Sequence, residues 1–190
     1  KIHIDIDKSS INKVVHVDFG IVGDCKEVIS LLIKEIKKSD NIKSMQSKSS
    51  WWDQINNWRA KNSLGFIQGA TTIKPQQAIK SLYEKTIDKD TYVTTEVGQH
   101  QMWAAQYFGF SAPKHWMTSG GLGTMGYGLP SSVGVQIAHP KSLVIDISGE
   151  ASFLMNMQEL STIVQYNLPI KIFILNNQWM GMVRQWQELN

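Results

Sequence analysis

Cysteine is almost missing from this sequence: Cys25 stands alone among 190 residues. That excludes an internal disulfide and any zinc site built on cysteines. Arginine is nearly as scarce, with only Arg59 and Arg184. A nucleic-acid surface needs a stripe of cations with arginine or aromatic readers among them. The lysines here, Lys34, Lys37, Lys38 and Lys43 for example, are scattered and read as a solvated helix face, so no nucleic-acid partner is expected. Net charge is only +3, with twelve Lys and Arg against eight Asp and Glu in residues 1–74 and seven against eight in residues 75–190. No apolar run approaches the ~20 residues of a membrane span. The opening KIHIDID alternates like a strand rather than reading as a leader. What remains, 42% hydrophobic and 18% charged residues, suits a globular chain, for which the cytoplasm is the expected compartment.

Taken in order, Ile2–Ile6 reads as a buried strand and Val14–Gly23 as an extended loop closing on the turn pair Gly23–Asp24. From Lys26, Val28, Ile29, Leu32, Ile33 and Ile36 recur at helical spacing, ending near Ser39–Asn41. Residues 42–50 are polar and aperiodic, a linker. Trp51, Trp52, Ile55 and Trp58 then mark a short amphipathic helix. Pro75 is placed to open a further helix with Ala78, Ile79, Leu82 and Tyr83 as its buried stripe. Thr91–Thr95 is a β-branched strand, Glu96–Tyr107 turns helical, and a glycine run (SGGLGTMGYGLP, 119–130) leads into a helix near Pro130. Strands alternating with helices predict a doubly wound parallel α/β sheet. The expected division is residues 1–38 as the end of one α/β domain, 39–74 as a linker and 75–190 as most of a second, with both chain ends reading as cut.

The stretch Ser142–Asn177 organises the second domain. It reads as strand, turn, amphipathic helix from about Ser152, and strand, with Glu150 closing the first strand and Asn176–Asn177 the second. In a β-α-β unit both carboxyl ends lie side by side, at the edge where open α/β sheets bind ligands. A carboxylate, an amide oxygen and a helix amino terminus meeting there are the parts of a magnesium and diphosphate site. Taken alone, a Glu in Glu150's place after a strand is more often a helix-capping charge. The glycines at 120, 121, 123, 126 and 128 permit close backbone approach to a ligand or to a packed helix. They are not a P-loop, because no Gly-Lys-Ser/Thr follows.

With these segments in view the sequence resembles a known family. Gly149 followed by Asn176–Asn177 is similar to the diphosphate signature of thiamine diphosphate enzymes. VGQHQMWAAQYF (97–108), SGGLGTMGYGLP, MNMQELSTIVQYNLP (155–169) and LNNQWMGMVRQWQE (175–188) resemble acetolactate synthase large subunits, and HIDID (3–7) and Gly23–Asp24 resemble the end of their FAD-binding, Rossmann-like middle domain. The resemblance implies the thiamine diphosphate-binding fold. It implies decarboxylation of pyruvate and carboligation to a second 2-oxo acid, pyruvate or 2-oxobutyrate, in branched-chain amino acid biosynthesis.

By position, the resemblance implies thiamine diphosphate contacts at Val97, Gly98, Gln99, His100, Met102, Gly123, Gly149, Glu150, Ala151, Ser152, Asn177, Gly181, Met182 and Val183. Met125 falls where a methionine wedges under the thiazolium. Magnesium ligands fall at Glu150, Asn177 and the Trp179 carbonyl, and Met182 and Trp186 shape a substrate channel. FAD contacts fall at Asp5, Ile6 and Asp24. A homodimer or homotetramer with its site at the subunit interface is implied, together with a small regulatory subunit and no membrane. Two positions depart from the pattern: Glu150 and Ala151 stand where the family has Asp and Gly. The family's catalytic glutamate lies in an amino-terminal domain, so no catalytic residue is expected within residues 1–190, which alone should be inactive. Another thiamine diphosphate enzyme, such as a glyoxylate carboligase or pyruvate oxidase, and a non-catalytic cofactor-binding module remain alternatives.

Overall fold

The computed structural model describes residues 1–38, 48–110 and 112–190. The chain divides into two compact units, Lys1–Ser63 and Leu64–Asn190.

In the first unit, β1 (Ile2–Asp5) and β2 (Phe19–Val22) form a parallel pair in the register Ile2–Phe19 to Asp5–Val22. Strand β2 lies inside the stretch expected to be loop, with only four residues paired. Helix α1 (Cys25–Lys38) follows. The Asp24 carboxylate accepts from the N–H groups of Lys26 at 2.8 Å and Glu27 at 3.3 Å, capping that helix. The strand expected to be buried is open: Ile2 is 64% and Ile6 73% exposed, and none of α1 is buried. Helix α2 (Ser49–Ala60) carries Trp51 edge-on to Trp58, ring centroids 5.5 Å apart. The expected end of α1 near residues 39–41 and residues 42–47 of the linker fall outside the described residues.

The second unit opens with α3 (Pro75–Glu84), Pro75 in its first turn as the missing N–H allows. Strand β3 (Thr91–Thr95) leads to α4 (Gln99–Tyr107), then β4 (Trp116–Thr118), α5 (Gly128–Ala138) and β5 (Leu143–Ser148). Beyond β5 come α6 (Glu150–Leu154), a 3-10 turn at Met157–Glu159, α7 (Leu160–Gln165), β6 (Lys171–Ile174) and α8 (Gly181–Leu189). All four strands are parallel, in the order β4-β3-β5-β6. Successive side chains of β5 point to opposite faces. Ile145 and Ile147 pack with Ile79, Val93, Ala104 and Phe108 beneath α3 and α4, while Leu129, Val133 and Ile163 form a second cluster with α5 and α7. Helices on both faces bury β5 completely from Val144 to Ser148.

Three local expectations shift. Helix α5 begins two residues before Pro130, at Gly128. The single helix expected after Glu150 is broken: α6 spans five residues, starting at Glu150 rather than Ser152, and Asn156 leaves helical geometry with φ −132° and ψ 27°. The break has a cause, since the Asn156 amide donates to the Gly126 carbonyl at 2.6 Å. Strand β4 escaped prediction because it is three residues long and follows Lys114, a residue with φ +64°. Among the described residues no helix is long and apolar enough to cross a membrane.

Candidate functional site

From β3 the chain makes β4 on one side, then passes back to make β5 on the other. Strand order therefore reverses between β3 and β5, and the segments leaving their carboxyl ends part to leave a crevice. The two ends are joined there, the Glu96 N–H donating to the Ile147 carbonyl at 3.0 Å. The end of β6 joins them, with the Leu175 N–H donating to the Ser148 carbonyl at 2.8 Å.

A cleft with about 430 Å³ of empty space, open solvent included, lies at this edge. The segment after β3 lines it with Val97, Gly98, Gln99, His100 and Trp103, and the glycine run adds Met125. Gly149, Glu150, Ala151 and Ser152 enter from the end of β5, and Leu175, Asn177, Trp179 and Met180 follow β6. The first turn of α8 closes the far side with Gly181, Met182 and Val183. Three expected positions do not line it. Met102 on α4 is 40% exposed and Trp186 on α8 is 65% exposed. Gly123 (φ +67°) sits beside the lining, its Cβ position 3.8 Å from Val97 Cγ1.

His100 occupies the crevice floor, 7% exposed. Its ring is pressed between two backbones: a Cβ on Gly98 would fall 2.8 Å from Cε1, and one on Gly149 2.7 Å. Gly98 also has φ +152°, which side chains rarely adopt. Burial brings the His100 pKa down to about 4, against a smaller upward pull from the Glu96 carbonyl, so the ring is neutral near pH 7. Its Nε2 is buried without a partner, as is Glu150 Oε1. Buried polar atoms are normally satisfied, so two orphans facing one cleft point to a polar ligand.

The loop after β6 is built from side-chain turns. Asn176 Oδ1 accepts from the Gln178 N–H at 2.8 Å and Asn177 Oδ1 from the Trp179 N–H at 3.0 Å. The Arg184 guanidinium stacks 4.1 Å over the Trp179 ring, and Gln99 Nε2 donates to Gln185 Oε1 at 2.9 Å, tying α8 to the 97–100 loop. Among the described residues no three His, Cys, Asp or Glu side chains converge. A metal wanting an all-protein carboxylate cage does not fit. A magnesium ion taking one carboxylate, neutral oxygens and ligand phosphates does.

Two buried acids behind the cleft were not among the sequence candidates. Glu96 is fully buried, its carboxylate accepting from the N–H groups of Gly126 at 2.6 Å and Leu129 at 3.0 Å. Burial raises its pKa, while those N–H groups pull it down. Asp146 Oδ1 accepts from Thr94 Oγ1 at 3.0 Å, and Oδ2 from Ser148 Oγ. Burial above all, with the Glu96 charge adding, pushes the Asp146 carboxyl up to about 7. The fold thus keeps a proton that the unfolded chain releases near pH 4. This contribution to stability is complete below about pH 4 and is lost as pH rises through about 7. Asp146→Asn is expected to remove that decline, so its urea midpoint should fall less than that of the unsubstituted protein between pH 4 and 8. Parallel profiles would show that Asp146 ionises normally in the fold.

In the first unit, Asp5 ends β1, Ile6 follows it and Asp24 follows β2, so the three sit at the carboxyl edge of one strand pair. The Asp24 carboxylate caps α1, and Asp5 Oδ1 accepts from the Asp7 N–H at 2.8 Å. Both acids are engaged within the chain, and the cavity beside β1 is lined by Asp5 but by neither Ile6 nor Asp24.

Comparison with known proteins agrees with the cleft. The family described as thiamine pyrophosphate enzyme, C-terminal TPP binding domain, matches residues 96–190. The acetolactate synthase large subunit of Haemophilus influenzae is 46% identical over 188 residues, 99% of this chain and 32% of that protein. Isozyme 3 of Escherichia coli is 45% identical over 99% of this chain and 33% of its own length. The large subunit of Pyropia yezoensis is 49% identical over 187 residues, 98% of this chain and 31% of its own. The chain spans about a third of the length of these relatives. A cleft at the strand reversal, lined by the matched segment, and matches throughout that segment lead to one assignment: the chain belongs to the thiamine pyrophosphate enzymes and carries their C-terminal TPP-binding domain.

Proposed function

We propose that this chain is the thiamine diphosphate-binding part of an acetolactate synthase large subunit. The full protein would decarboxylate pyruvate and join the remaining two-carbon unit to a second 2-oxo acid, pyruvate or 2-oxobutyrate. The observation that carries the reading is the convergence of four segments, after β3, in the glycine run, after β5 and after β6, into one cleft holding two orphaned polar atoms. Similarity to acetolactate synthase large subunits across nearly the whole chain supports it over other thiamine diphosphate enzymes.

Glu150, the Asn177 side chain and the Trp179 carbonyl would hold Mg²⁺, and Gly149 to Ser152 would take the diphosphate. When bound, thiamine diphosphate supplies the electron sink for decarboxylation. Neutral His100 offers a hydrogen-bonding ring that does not repel a cation beside it. Met125, which lines the same cleft, would support the cofactor ring from below. Met182 would wall the substrate side, with Trp186 at the channel mouth. Proton transfer to the cofactor is assigned to a glutamate supplied outside residues 1–190. FAD is proposed as a bound group of the full enzyme, and no step is derived through it.

Two apolar residues lining the cleft, Trp179 and Met180, are 56% and 45% exposed. Apolar groups grouped at a site edge suit burial under a second surface. This supports a homodimer or homotetramer with the site completed at the subunit interface; a small regulatory subunit and residence in the cytoplasm are proposed from the similarity to acetolactate synthase large subunits alone. Incubating the full-length protein with pyruvate, thiamine diphosphate and Mg²⁺ tests the reaction. Acetolactate is the expected product, whereas acetaldehyde or acetyl phosphate in its place would contradict the assignment. Residues 1–190 alone should form none.

A further inference from the structure

Glu96 belongs to neither wall of the cleft but touches both. Val97, the next residue, begins the lining after β3, and Met125 stands beside Gly126, whose N–H donates to Glu96 Oε2 at 2.6 Å. That N–H belongs to the Met125–Gly126 peptide, so the bond sets the orientation of the peptide from which Met125 enters the cleft. Gly126 has φ +88°, and a Cβ there would fall 2.6 Å from Asn156 Nδ2, so the turn is shaped for this contact and for glycine alone. The second carboxylate oxygen accepts from Leu129 in the first turn of α5 at 3.0 Å. With the side chain fully buried, no water can replace either bond.

We infer that Glu96 is a positioning residue for the cofactor cleft: its carboxylate fixes the Met125 turn against the 97–100 loop and thereby sets the affinity for thiamine diphosphate. The inference rests on the thiamine diphosphate reading. It differs from plain helix capping, which would need only the Leu129 bond and would affect stability alone. Glu96 touches no reacting group, so chemistry at saturating cofactor stays near its normal rate when it is changed.

The test uses the full-length protein with Mg²⁺. In Glu96→Gln an amide nitrogen replaces one oxygen, so one of the two buried N–H groups meets another donor. The thiamine diphosphate dissociation constant is expected to rise about tenfold, the size of one lost charge-assisted hydrogen bond. The kcat at saturating cofactor should change by no more than about twofold, because transition-state interactions are untouched. Glu96→Asp keeps the carboxylate but not its full reach, and should recover part of the affinity, leaving a loss of about threefold. Unchanged affinity in Glu96→Gln overturns the inference. So does a loss that Glu96→Asp fails to relieve while the melting temperature of the cofactor-free protein falls in step, since that is the mark of a structural cap. If Glu96→Gln does not fold, Glu96→Asp decides: weaker binding at an unchanged cofactor-free melting temperature supports the inference, and unchanged binding overturns it. Failure of the unsubstituted protein to bind thiamine diphosphate would instead remove the functional reading itself.

Discussion

Glu150→Ala is expected to weaken Mg²⁺-dependent thiamine diphosphate binding by the full-length protein about a hundredfold or more. Changing residues that merely orient metal ligands costs 10–100-fold, and among the described residues Glu150 is the only carboxylate lining the cleft. Its Oε1 is buried without a partner, so the ligand-free protein already pays to hold it there. Removing the group should leave the ligand-free fold as stable as before or slightly more so, while binding collapses. That opposition separates a ligand residue from a structural one. Loss of stability with binding intact would assign Glu150 to capping α6 instead. The resemblance to thiamine diphosphate enzymes also implies an Asp where this chain has Glu150. Glutamate is one methylene longer and is followed by Ala151 rather than glycine, so the metal must shift or the side chain must retract. Glu150→Asp is therefore expected to tighten binding, and no gain would show that the longer side chain is fully accommodated.

Gly128→Ala carries the largest expected effect on stability. An added Cβ would lie 2.4 Å from Asp146 Oδ1, 2.6 Å from the Glu96 nitrogen and 2.7 Å from the Thr95 carbonyl carbon. Two of these are backbone atoms of the β3 end, held in the sheet by β4 and β5. They cannot swing aside as a long side chain would. Overpacking of this kind costs about 3 kcal/mol, and it should also separate the β3 and glycine-run walls of the cleft. Gly134 on the same helix is the control, with nothing within 4 Å of its Cβ position. Gly134→Ala should stabilise the protein by about 0.5–1 kcal/mol through lower chain entropy and better helix propensity. Chemical denaturation of the two variants checks both signs.

Much of the second unit could be read from the sequence because its long elements follow one rule each. Thr91–Thr95 is β-branched, Pro75 marks a helix start, and the β5 run is apolar and bounded by turn residues. Short elements carried no such signal: β4 has three residues, β2 four, and the break after Leu154 is made by one amide reaching a carbonyl thirty positions away. The cleft was legible for a related reason. Its lining comes from segments adjacent to strand ends, so topology alone brings Gly98, Glu150 and Asn177 together. Glu96 was not legible, because its partners are backbone N–H groups, which leave no trace in residue identity. An acid at the end of a buried strand facing a glycine run was the one available hint. Asp146 is likewise a carboxylate in an apolar strand whose partners, Thr94 and Ser148, look like ordinary strand residues. Exposure of α1 and of Ile2 and Ile6 went against hydrophobic pattern, which reports what a face is suited to cover and not whether a covering layer is there.

The central claim is that the cleft at the β3–β5 reversal binds thiamine diphosphate through a metal held by Glu150 and the Asn177 loop. Titration calorimetry of the full-length, cofactor-free protein with thiamine diphosphate, with Mg²⁺ and with a chelator, tests it most directly. The account predicts saturable binding at one site per chain that requires the metal and is lost in Glu150→Ala. Binding of equal strength in the chelator, or in Glu150→Ala, would contradict it.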